Sequence, residues 1–320
     1  MARRFIICSP QEEYISLLAD HIAERRDLAF ELFICTTFES LLEEQQKKQI
    51  DILLIDGAIS IQKRSKIKTR QTYVLTNGNQ KISDQEKEVY QYQAANVIIS
   101  EILEGCLERK DNTVFKPCRK GDKQLLAVYS PIHRIGKSEF AMTLARELGR
   151  HKQVLYVNLE EYSAMGEDLF YEKRNLSDLL YYMKQEEGYL GARVGTIVRK
   201  IREVDMIAPL PVSQDLKEVS PEDWEMLFHR LLKESMYETI VVDISESVQG
   251  LFRILNISDV IYMPTIQDPA SRAKLGQYRQ AVKQLGYETL SAKTVEVSME
   301  QDCMNLVRGI MAKRKRRKPQ

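Results

Sequence analysis

The sequence predicts an α/β protein with two domains, each a doubly wound parallel β-sheet with helices on both faces. Short apolar runs alternate along the chain with amphipathic segments of helical length, which is the pattern of βαβ units. The centres of QLLAVYS (124–130) and of YETIVVDISES (237–247) are continuous apolar runs, as is typical of strands buried on both faces. A chain of 320 residues is long enough for two hydrophobic cores.

Composition and charge narrow the class of protein. The content of 43% hydrophobic and 29% charged residues is that of a soluble globular protein. No secretory signal and no apolar run of membrane-spanning length is present. The five cysteines are scattered without a CxxC pair, which argues against zinc and favours reduced thiols in a cytoplasm. These features predict a cytoplasmic protein.

Six consecutive basic residues, KRKRRK at 313–318, account for the net charge of +1. The rest of the chain has 41 basic and 46 acidic residues, so it is mildly acidic. Global charge therefore gives no reason to expect nucleic acid as a partner. A solvated tail is the simplest interpretation of the basic run. A peripheral contact with anionic lipid is the alternative, because an apolar helical stripe precedes it.

The first domain is predicted to span residues 1–106, with five strands and intervening helices. The predicted helices cover residues 12–24, 37–46 and 86–93. The predicted strands cover residues 4–8, 30–35, 51–57, 72–76 and 95–100. Loops that follow the strand ends form the functional edge of such a sheet.

The order of these elements resembles a response-regulator receiver domain, which has a flavodoxin-like fold. Asp56 ends the third strand, where a receiver carries its phospho-acceptor, and Thr76 ends the fourth. The acidic pair after the first strand is replaced by Ser9-Pro10, and the lysine after the last predicted strand by Ser100. Phosphoryl transfer to a carboxylate needs a metal ion and a neutralising cation. We therefore interpret this receiver-like domain as a pseudo-receiver that makes protein contacts, with phosphorylation of Asp56 as the alternative.

Residues 107–123 are polar and charged and contain Pro117 and Gly121, which is the composition of a linker. The second domain is predicted to span residues 124–312 and to be followed by the basic tail 313–320. It begins with the strand 124–130, the loop 131–138 and a helix that ends near Gly149.

This strand–loop–helix segment has the context of a phosphate-binding loop. Gly136, Lys137 and Ser138 supply the last three residues of that motif. In such a loop the backbone N–H groups and the helix N-terminus bind phosphates, a lysine neutralises their charge, and a Ser hydroxyl coordinates magnesium. The predicted nucleotide-binding residues are His133, Arg134, Ile135, Gly136, Lys137, Ser138 and Glu139.

The first half of the loop departs from the motif. Pro131 has no N–H and cannot adopt positive φ. His133 and Arg134 carry Cβ atoms where glycine would adopt positive φ without cost. We therefore expect nucleotide to bind weakly.

The motifs of this domain resemble those of the MinD/ParA family of P-loop ATPases. Residues 130–138 align with the family's x-G-K-G-G-x-G-K-T, and Asp243, at the end of an apolar run, matches its Walker B aspartate. Ile132 replaces the lysine that reaches across the family's dimer, and Glu160 retains a carboxylate of its D-x-D. The resemblance implies a homodimer that binds ATP and Mg²⁺. Its implied site residues are Lys137, Glu160 and Asp243 for catalysis, Ser138 and Asp243 for the metal, and Asp268 and Pro269 near the base.

A receiver-like domain followed by a MinD-like domain resembles the TadZ/CpaE type of protein, which localises Tad (Flp) pilus machinery. That resemblance implies a positioning or scaffold function for pilus or secretion machinery. The departures of the loop from the motif, above all Ile132 in place of a lysine, predict weak or absent ATP hydrolysis. It also implies a location in the cytoplasm, at the inner face of the membrane or at a cell pole. The alternative is a pseudo-ATPase adaptor that binds no nucleotide and acts only through protein contacts.

Overall fold

The structure, a computed structural model, describes residues 3–25, 27–109, 112–116, 121, 123–163, 174–185 and 190–317, with the backbone alone at 315–317. The chain divides into two compact units, residues 1–117 and 118–320. Both units are α/β, as the alternation of apolar and amphipathic segments predicts.

The first unit contains a five-stranded sheet in the order β2-β1-β3-β4-β5, and all its neighbouring strands are parallel. This 2-1-3-4-5 order is the flavodoxin-like one. The strands are β1 (Arg3–Cys8), β2 (Phe30–Cys35), β3 (Ile50–Asp56), β4 (Thr69–Thr76) and β5 (Glu86–Tyr90).

Helices cover both faces of this sheet, so the predicted doubly wound arrangement is confirmed. One core packs α1 and α4 against the strands, and the other packs α2 with Ile59 and Ile67. The helices are α1 (Glu12–Ala23), α2 (Phe38–Lys47), α3 (Ile61–Arg64) and α4 (Ala95–Glu108).

The prediction was wrong at the end of this unit, where strand and helix are interchanged. Residues 86–90 form the edge strand β5, although their charges suggest a helix. Residues 95–100, a predicted strand, are the first turns of α4. The apolar residues of that helix recur at helical spacing as far as Leu107, whereas the predicted strand ends at residue 100. Gln91, and not Ser100, is therefore the residue that follows the last strand.

Part of the predicted linker belongs to the first unit. Leu107 and Glu108 lie in α4, and Asn112–Val114 form a 3₁₀ turn whose Val114 is buried in the first core. Phe115 forms an isolated antiparallel bridge with Leu28. Residues 110–111, 117–120 and 122 of the same predicted segment lie outside the described residues.

The second unit contains a seven-stranded sheet in the order β12-β11-β6-β10-β7-β9-β8. All neighbouring pairs are parallel except β8 with β9, which form an antiparallel hairpin at the edge. The strands are β6 (Gln124–Val128), β7 (Val154–Leu159), β8 (Arg199–Ile201), β9 (Val204–Ile207), β10 (Thr239–Ile244), β11 (Val260–Thr265) and β12 (Thr294–Ser298).

Helices again cover both faces. The helices α5 and α13 pack on one face, and the core on the other face includes residues of α6, α7, α8, α9, α10, α11 and α12. The helices are α5 (Lys137–Gly149), α6 (Leu176–Gln185), α7 (Leu190–Ile197), α8 (Ser213–Glu218), α9 (Pro221–Glu234), α10 (Leu251–Ile257), α11 (Pro269–Gln284), α12 (Leu290–Lys293) and α13 (Cys303–Arg317).

The apolar stripe before the basic tail packs inward. Val307 of α13 is fully buried, and Leu306, Ile310 and Met311 pack against the core that contains α5. Arg314 donates to the hydroxyl of Tyr262 at 2.8 Å. This stripe is therefore not available for insertion into lipid. The rest of the basic run, at 315–318, lies outside the described side chains. Within the described part of the chain, no helix has the length and apolar character needed to cross a membrane.

Candidate functional site

The candidate site is the loop that joins β6 to α5 in the second unit. Strand β6 lies between β10 and β11, so the loop leaves the carboxyl edge of the sheet next to the ends of both neighbours. Ligands of open α/β sheets bind outside this edge. The helix begins at Lys137, after Gly136 at φ 80°.

Hydrogen bonds fix the first half of the loop. The Ser130 hydroxyl donates to the carbonyl oxygen of Pro264 at 2.7 Å and accepts from the N–H of Ile132 at 3.1 Å. The Ile132 side chain is only 5% exposed and belongs to the core. It therefore points into its own domain.

Two residues of the loop have left-handed backbone conformations. Gly136 tolerates this without cost, but Arg134 has φ 59° and carries a Cβ. The left-handed conformation costs a non-glycine residue about 1–2 kcal/mol. The structure thus retains the glycine-like backbone at Arg134.

Seven consecutive backbone N–H groups, those of residues 133–139, form no hydrogen bond within the described part of the chain. The next one, of Phe140, donates to Gly136 at 2.9 Å as the first regular bond of α5. Successive free donors at a helix N-terminus are the groups that bind phosphate oxygens. The loop therefore offers an anion cradle despite its side chains.

Lys137 brings three predicted site residues together. Its ammonium group forms ion pairs with Glu160, after β7, and with Asp243, in β10. It also donates to the carbonyl oxygen of Ile244 at 2.8 Å. The Asp243 side chain has no exposed surface, whereas that of Glu160 is 25% exposed. One cation thus balances two carboxylates.

The Asp243 carboxylate and the backbone of Glu160 have further hydrogen-bond partners. The Tyr156 hydroxyl, on β7, donates to Asp243 Oδ2 at 3.1 Å. Burial, followed by the nearby Asp243 carboxylate, raises the pKa of Tyr156 well above its usual value, so the phenol stays protonated. The Asn158 side chain accepts from the N–H of Glu160 at 2.7 Å, which fixes the turn after β7.

The remaining predicted residues occupy different positions around the loop. Ser138 is half-buried in the first turn of α5, and its hydroxyl has no hydrogen-bond partner among the described residues. Glu139 is exposed in the same turn, and Ile135 packs against the core. His133 is exposed, with Nε2 3.4 Å from Oε2 of Glu246. The Ser138 hydroxyl is thus free to coordinate a cation, whereas both oxygens of the buried Asp243 carboxylate are bound, one by Lys137 and the other by Tyr156.

Asp268, which the resemblance implies lies near a nucleotide base, is the N-cap residue of α11. Its Oδ1 accepts hydrogen bonds from the N–H groups of Ala270 and Ser271, both at 3.0 Å, at the start of α11. Pro269 occupies the first turn of the same helix. These contacts are those of an N-cap followed by a first-turn proline.

At the carboxyl edge of the first sheet, both oxygens of the Asp56 carboxylate accept hydrogen bonds. The Ser9 hydroxyl donates to Asp56 Oδ2 at 2.6 Å, and the N–H of Ala58 donates to Oδ1 at 2.8 Å. Asp56 itself is buried. Ser9 stands where a receiver has an acidic metal ligand, and here its hydroxyl donates a hydrogen bond to Asp56.

Three residues near the loop were not predicted from the sequence. Tyr156 lies inside the buried strand β7, and the apolar pattern of that strand does not indicate that its hydroxyl binds a carboxylate. Tyr129 directly follows β6, and its hydroxyl donates to Glu246 Oε1 at 3.2 Å. Their positions beyond β6 and β10 are the only sequence signal that could have identified Tyr129 and Glu246.

Comparison with known proteins gave no matching family model and no matching curated protein. Solved structures do show similarity. A ParA-family ATPase from Chlorobium tepidum TLS is 19% identical over 55% of this chain and 73% of its own, with a TM-score of 0.46. A plasmid partition protein from Borrelia burgdorferi is 16% identical over 60% of this chain and 100% of its own, with a TM-score of 0.46.

A third similar structure is cobyrinic acid a,c-diamide synthase from Mycobacterium smegmatis with a bound ATP analogue and magnesium. It is 12% identical over 61% of this chain and 83% of its own, with a TM-score of 0.43.

Proposed function

We propose that the second unit binds ATP with Mg²⁺ at residues 133–139, weakly, and hydrolyses it slowly or not at all. The observation that carries this proposal is the run of seven free N–H groups directly before and in the first turn of α5. Free donors of this kind, beside an ammonium group, select an anion with several oxygens. A nucleoside triphosphate such as ATP is an anion of this kind.

Each charged group then has a role that its position allows. Lys137 would turn from its carboxylates to the phosphates and neutralise part of their charge. Ser138 and Asp243 would hold magnesium, which when bound neutralises charge on the phosphate oxygens. Glu160, the more exposed carboxylate, would orient a water molecule. Binding must compete with the Lys137 ion pairs, so we expect an affinity in the micromolar range or weaker.

Slow turnover follows from the side chain that the loop lacks. In GTPases an added arginine at the phosphoryl-transfer transition state accelerates turnover about 10³–10⁵-fold. Ile132 is buried and apolar, so it supplies no such charge to a partner. We expect turnover far below the ~1–100 s⁻¹ that is typical of kinases.

The proposed cellular role follows from the resemblance to the TadZ/CpaE type: a homodimeric positioning or scaffold protein for Tad/Flp pilus or secretion machinery. The first unit would act as a pseudo-receiver, because the hydrogen bonds to Asp56 leave neither of its oxygens without a donor. A cytoplasmic protein with a basic tail would reach the inner face of the membrane through charge alone, since its apolar stripe is packed inward.

Isothermal titration calorimetry with ATP and magnesium tests the nucleotide site. We expect a saturable signal that Lys137→Ala abolishes and that Lys283→Ala, a change of an exposed lysine on α11, leaves unchanged. Ser138→Ala should weaken binding only when magnesium is present. Since Lys137→Ala also removes the partner of two carboxylates, its folding must be checked by the fluorescence of Trp224. Nanomolar affinity, or brisk hydrolysis that depends on Lys137, would contradict a weak site.

The second candidate function is an adaptor that binds no nucleotide. It is favoured by the three acceptors that already satisfy Lys137 and by the side chain of Arg134 in a glycine-like conformation. Absence of any binding heat in the calorimetric titration at millimolar ATP would support this adaptor and exclude the nucleotide site.

A further inference from the structure

A cavity lies beside the start of the candidate loop. It has a volume of about 420 Å³ and opens between the start of the loop, α10 and α11. This volume is within the ~300–1,000 Å³ of sites that take small ligands or single side chains. None of the residues predicted to bind nucleotide lines it except His133.

A carboxylate at one wall of the cavity has a fixed position. Glu246 Oε1 accepts from the hydroxyl of Tyr129 at 3.2 Å, and its Oε2 lies 3.4 Å from Nε2 of His133. The side chain of Glu246 nevertheless remains 47% exposed. Burial, followed by the Glu246 charge, raises the pKa of Tyr129, so its phenol keeps the proton that it donates. A charged acceptor thus faces the cavity.

Aromatic rings form the rest of this wall. The rings of Tyr129 and Tyr278 lie 5.6 Å apart, and the ring of Phe252 stacks on Tyr278 at 6.1 Å and 19°. The hydroxyl oxygen of Tyr278 is buried and has no hydrogen-bond partner within the described residues. The cavity therefore combines apolar ring surface with the exposed carboxylate of Glu246.

These groups are complementary to one kind of ligand. A carboxylate beside aromatic rings attracts a cation, and a planar guanidinium can stack on a ring while it donates two hydrogen bonds to a carboxylate. We infer that this cavity binds a guanidinium group carried on a short apolar stem. Its source is either a free guanidine compound or the arginine side chain of a partner polypeptide.

Lys274 provides an internal check on the sign of the ligand charge. It lies at the cavity, on the same helix as Tyr278 and one turn before it, and forms no ion pair within the described residues. Its ammonium group repels a cationic ligand and would attract an anionic one. The charges of Glu246 and Lys274 must therefore act in opposite directions on binding.

Ligand-observed NMR with the full chain tests the inference. The probes are N-acetyl-arginine methylamide and its neutral isostere N-acetyl-citrulline methylamide, which replaces guanidinium by urea. We expect the arginine probe to bind about tenfold more tightly than the citrulline probe. Glu246→Gln should remove that difference, and Lys274→Gln should strengthen arginine binding. Glu288→Gln, an exposed change outside the cavity, should alter neither.

Agmatine and an arginine-containing pentapeptide distinguish the two sources. Tighter binding of agmatine would indicate a free guanidine compound, and tighter binding of the peptide would indicate a partner polypeptide. Equal binding of the arginine and citrulline probes would overturn the inference. So would absence of binding at about 20 mM, or weaker arginine binding in Lys274→Gln. The probe comparison uses the unaltered protein, so it stands even where a variant fails to fold.

Discussion

The hydroxyl of Tyr156 donates a hydrogen bond to Oδ2 of Asp243 across two neighbouring strands, at 3.1 Å. The other oxygen of that carboxylate is ion-paired with Lys137. A carboxylate without exposed surface thus has a donor for each oxygen before any ligand binds. This arrangement stabilises a buried charge that would otherwise be costly.

Replacement of Tyr156 by Phe should lower the free energy of unfolding of the second unit by about 1.5–3 kcal/mol, because a hydrogen bond to a charged group is lost. Urea unfolding followed by Trp224 fluorescence measures it, since Trp224 is the only tryptophan and lies in the core of this unit. Tyr129→Phe is the matched control. Its carboxylate partner, Glu246, is half-exposed, so a smaller loss is expected. Equal losses would argue against a special role for burial at Asp243.

Two substitutions in the candidate loop should act in opposite directions. Gly136→Ala should destabilise the second unit by about 1–2 kcal/mol, because residue 136 has φ 80°. Space is not the reason, since a Cβ there would lie 3.4 Å from its nearest neighbour, the Cε of Met299. Arg134→Gly should stabilise the unit by a similar amount at φ 59°. The same urea titration measures both, and a stabilising Gly136→Ala would contradict the expected strain.

The sequence predicts both sheets and the position of the candidate loop, because long apolar runs mark buried parallel strands. It fails at 86–100, where the signals are weak. Strand β5 is short and lies at an edge, and only Val89 among its residues is buried, so its pattern carries little period. Pairing with β4 decides the conformation of this segment, and such pairing is a tertiary contact.

The same distinction applies to the candidate site. Gly136, Lys137 and Ser138 are adjacent in sequence and can be read as a motif. The contact of Lys137 with Glu160 depends on the order of the strands, which the sequence suggests only through resemblance. The cavity beside Glu246 depends on how α10 and α11 pack, and no local pattern encodes that packing.

A buried ion pair joins β5 to the end of α3. Arg64 donates to Glu86 through Nε at 2.7 Å and through Nη2 at 2.9 Å, and their side chains are 1% and 7% exposed. We expect Arg64→Met to destabilise the first unit by about 3–5 kcal/mol, because it leaves a buried carboxylate unpaired. Lys48→Met, which breaks the exposed pair with Glu31, should cost at most about 1 kcal/mol. Chemical denaturation followed by circular dichroism compares the two.

The same pair should make the stability of the first unit depend on pH. Burial raises the pKa of Glu86, but the hydrogen bonds from Arg64 and Ser83 outweigh it and leave that pKa lowered. A lowered pKa contributes stability above the unfolded value of about 4.3, and this contribution is lost as the pH falls through the folded pKa. The difference in unfolding free energy between the unaltered protein and Glu86→Gln should therefore shrink in acid. A constant difference from pH 7 to pH 3 would contradict the assignment.

Nucleotide should not change the oligomeric state of this protein. The side chain at position 132 is buried in its own core and carries no charge, so it cannot neutralise phosphates held by a second copy. Sedimentation velocity with and without millimolar ATP and magnesium should give one distribution. Arg134→Ala identifies the alternative source of charge. If ATP does drive dimerisation and this variant abolishes it, Arg134 acts in place of the missing lysine.

Ile132→Lys is the sharper test, because it introduces the lysine of the MinD/ParA motif that the loop resembles at a position that is apolar here. An ammonium group placed in this core would lack a partner, so the variant should be destabilised by more than the about 0.5–1.5 kcal/mol expected for Ile132→Val. The N–H of residue 132 donates to the Ser130 hydroxyl and holds the backbone in place. The new lysine side chain therefore cannot turn toward solvent unless this hydrogen bond breaks. A stable Ile132→Lys protein that dimerises with ATP would show that the loop can turn this residue toward a partner.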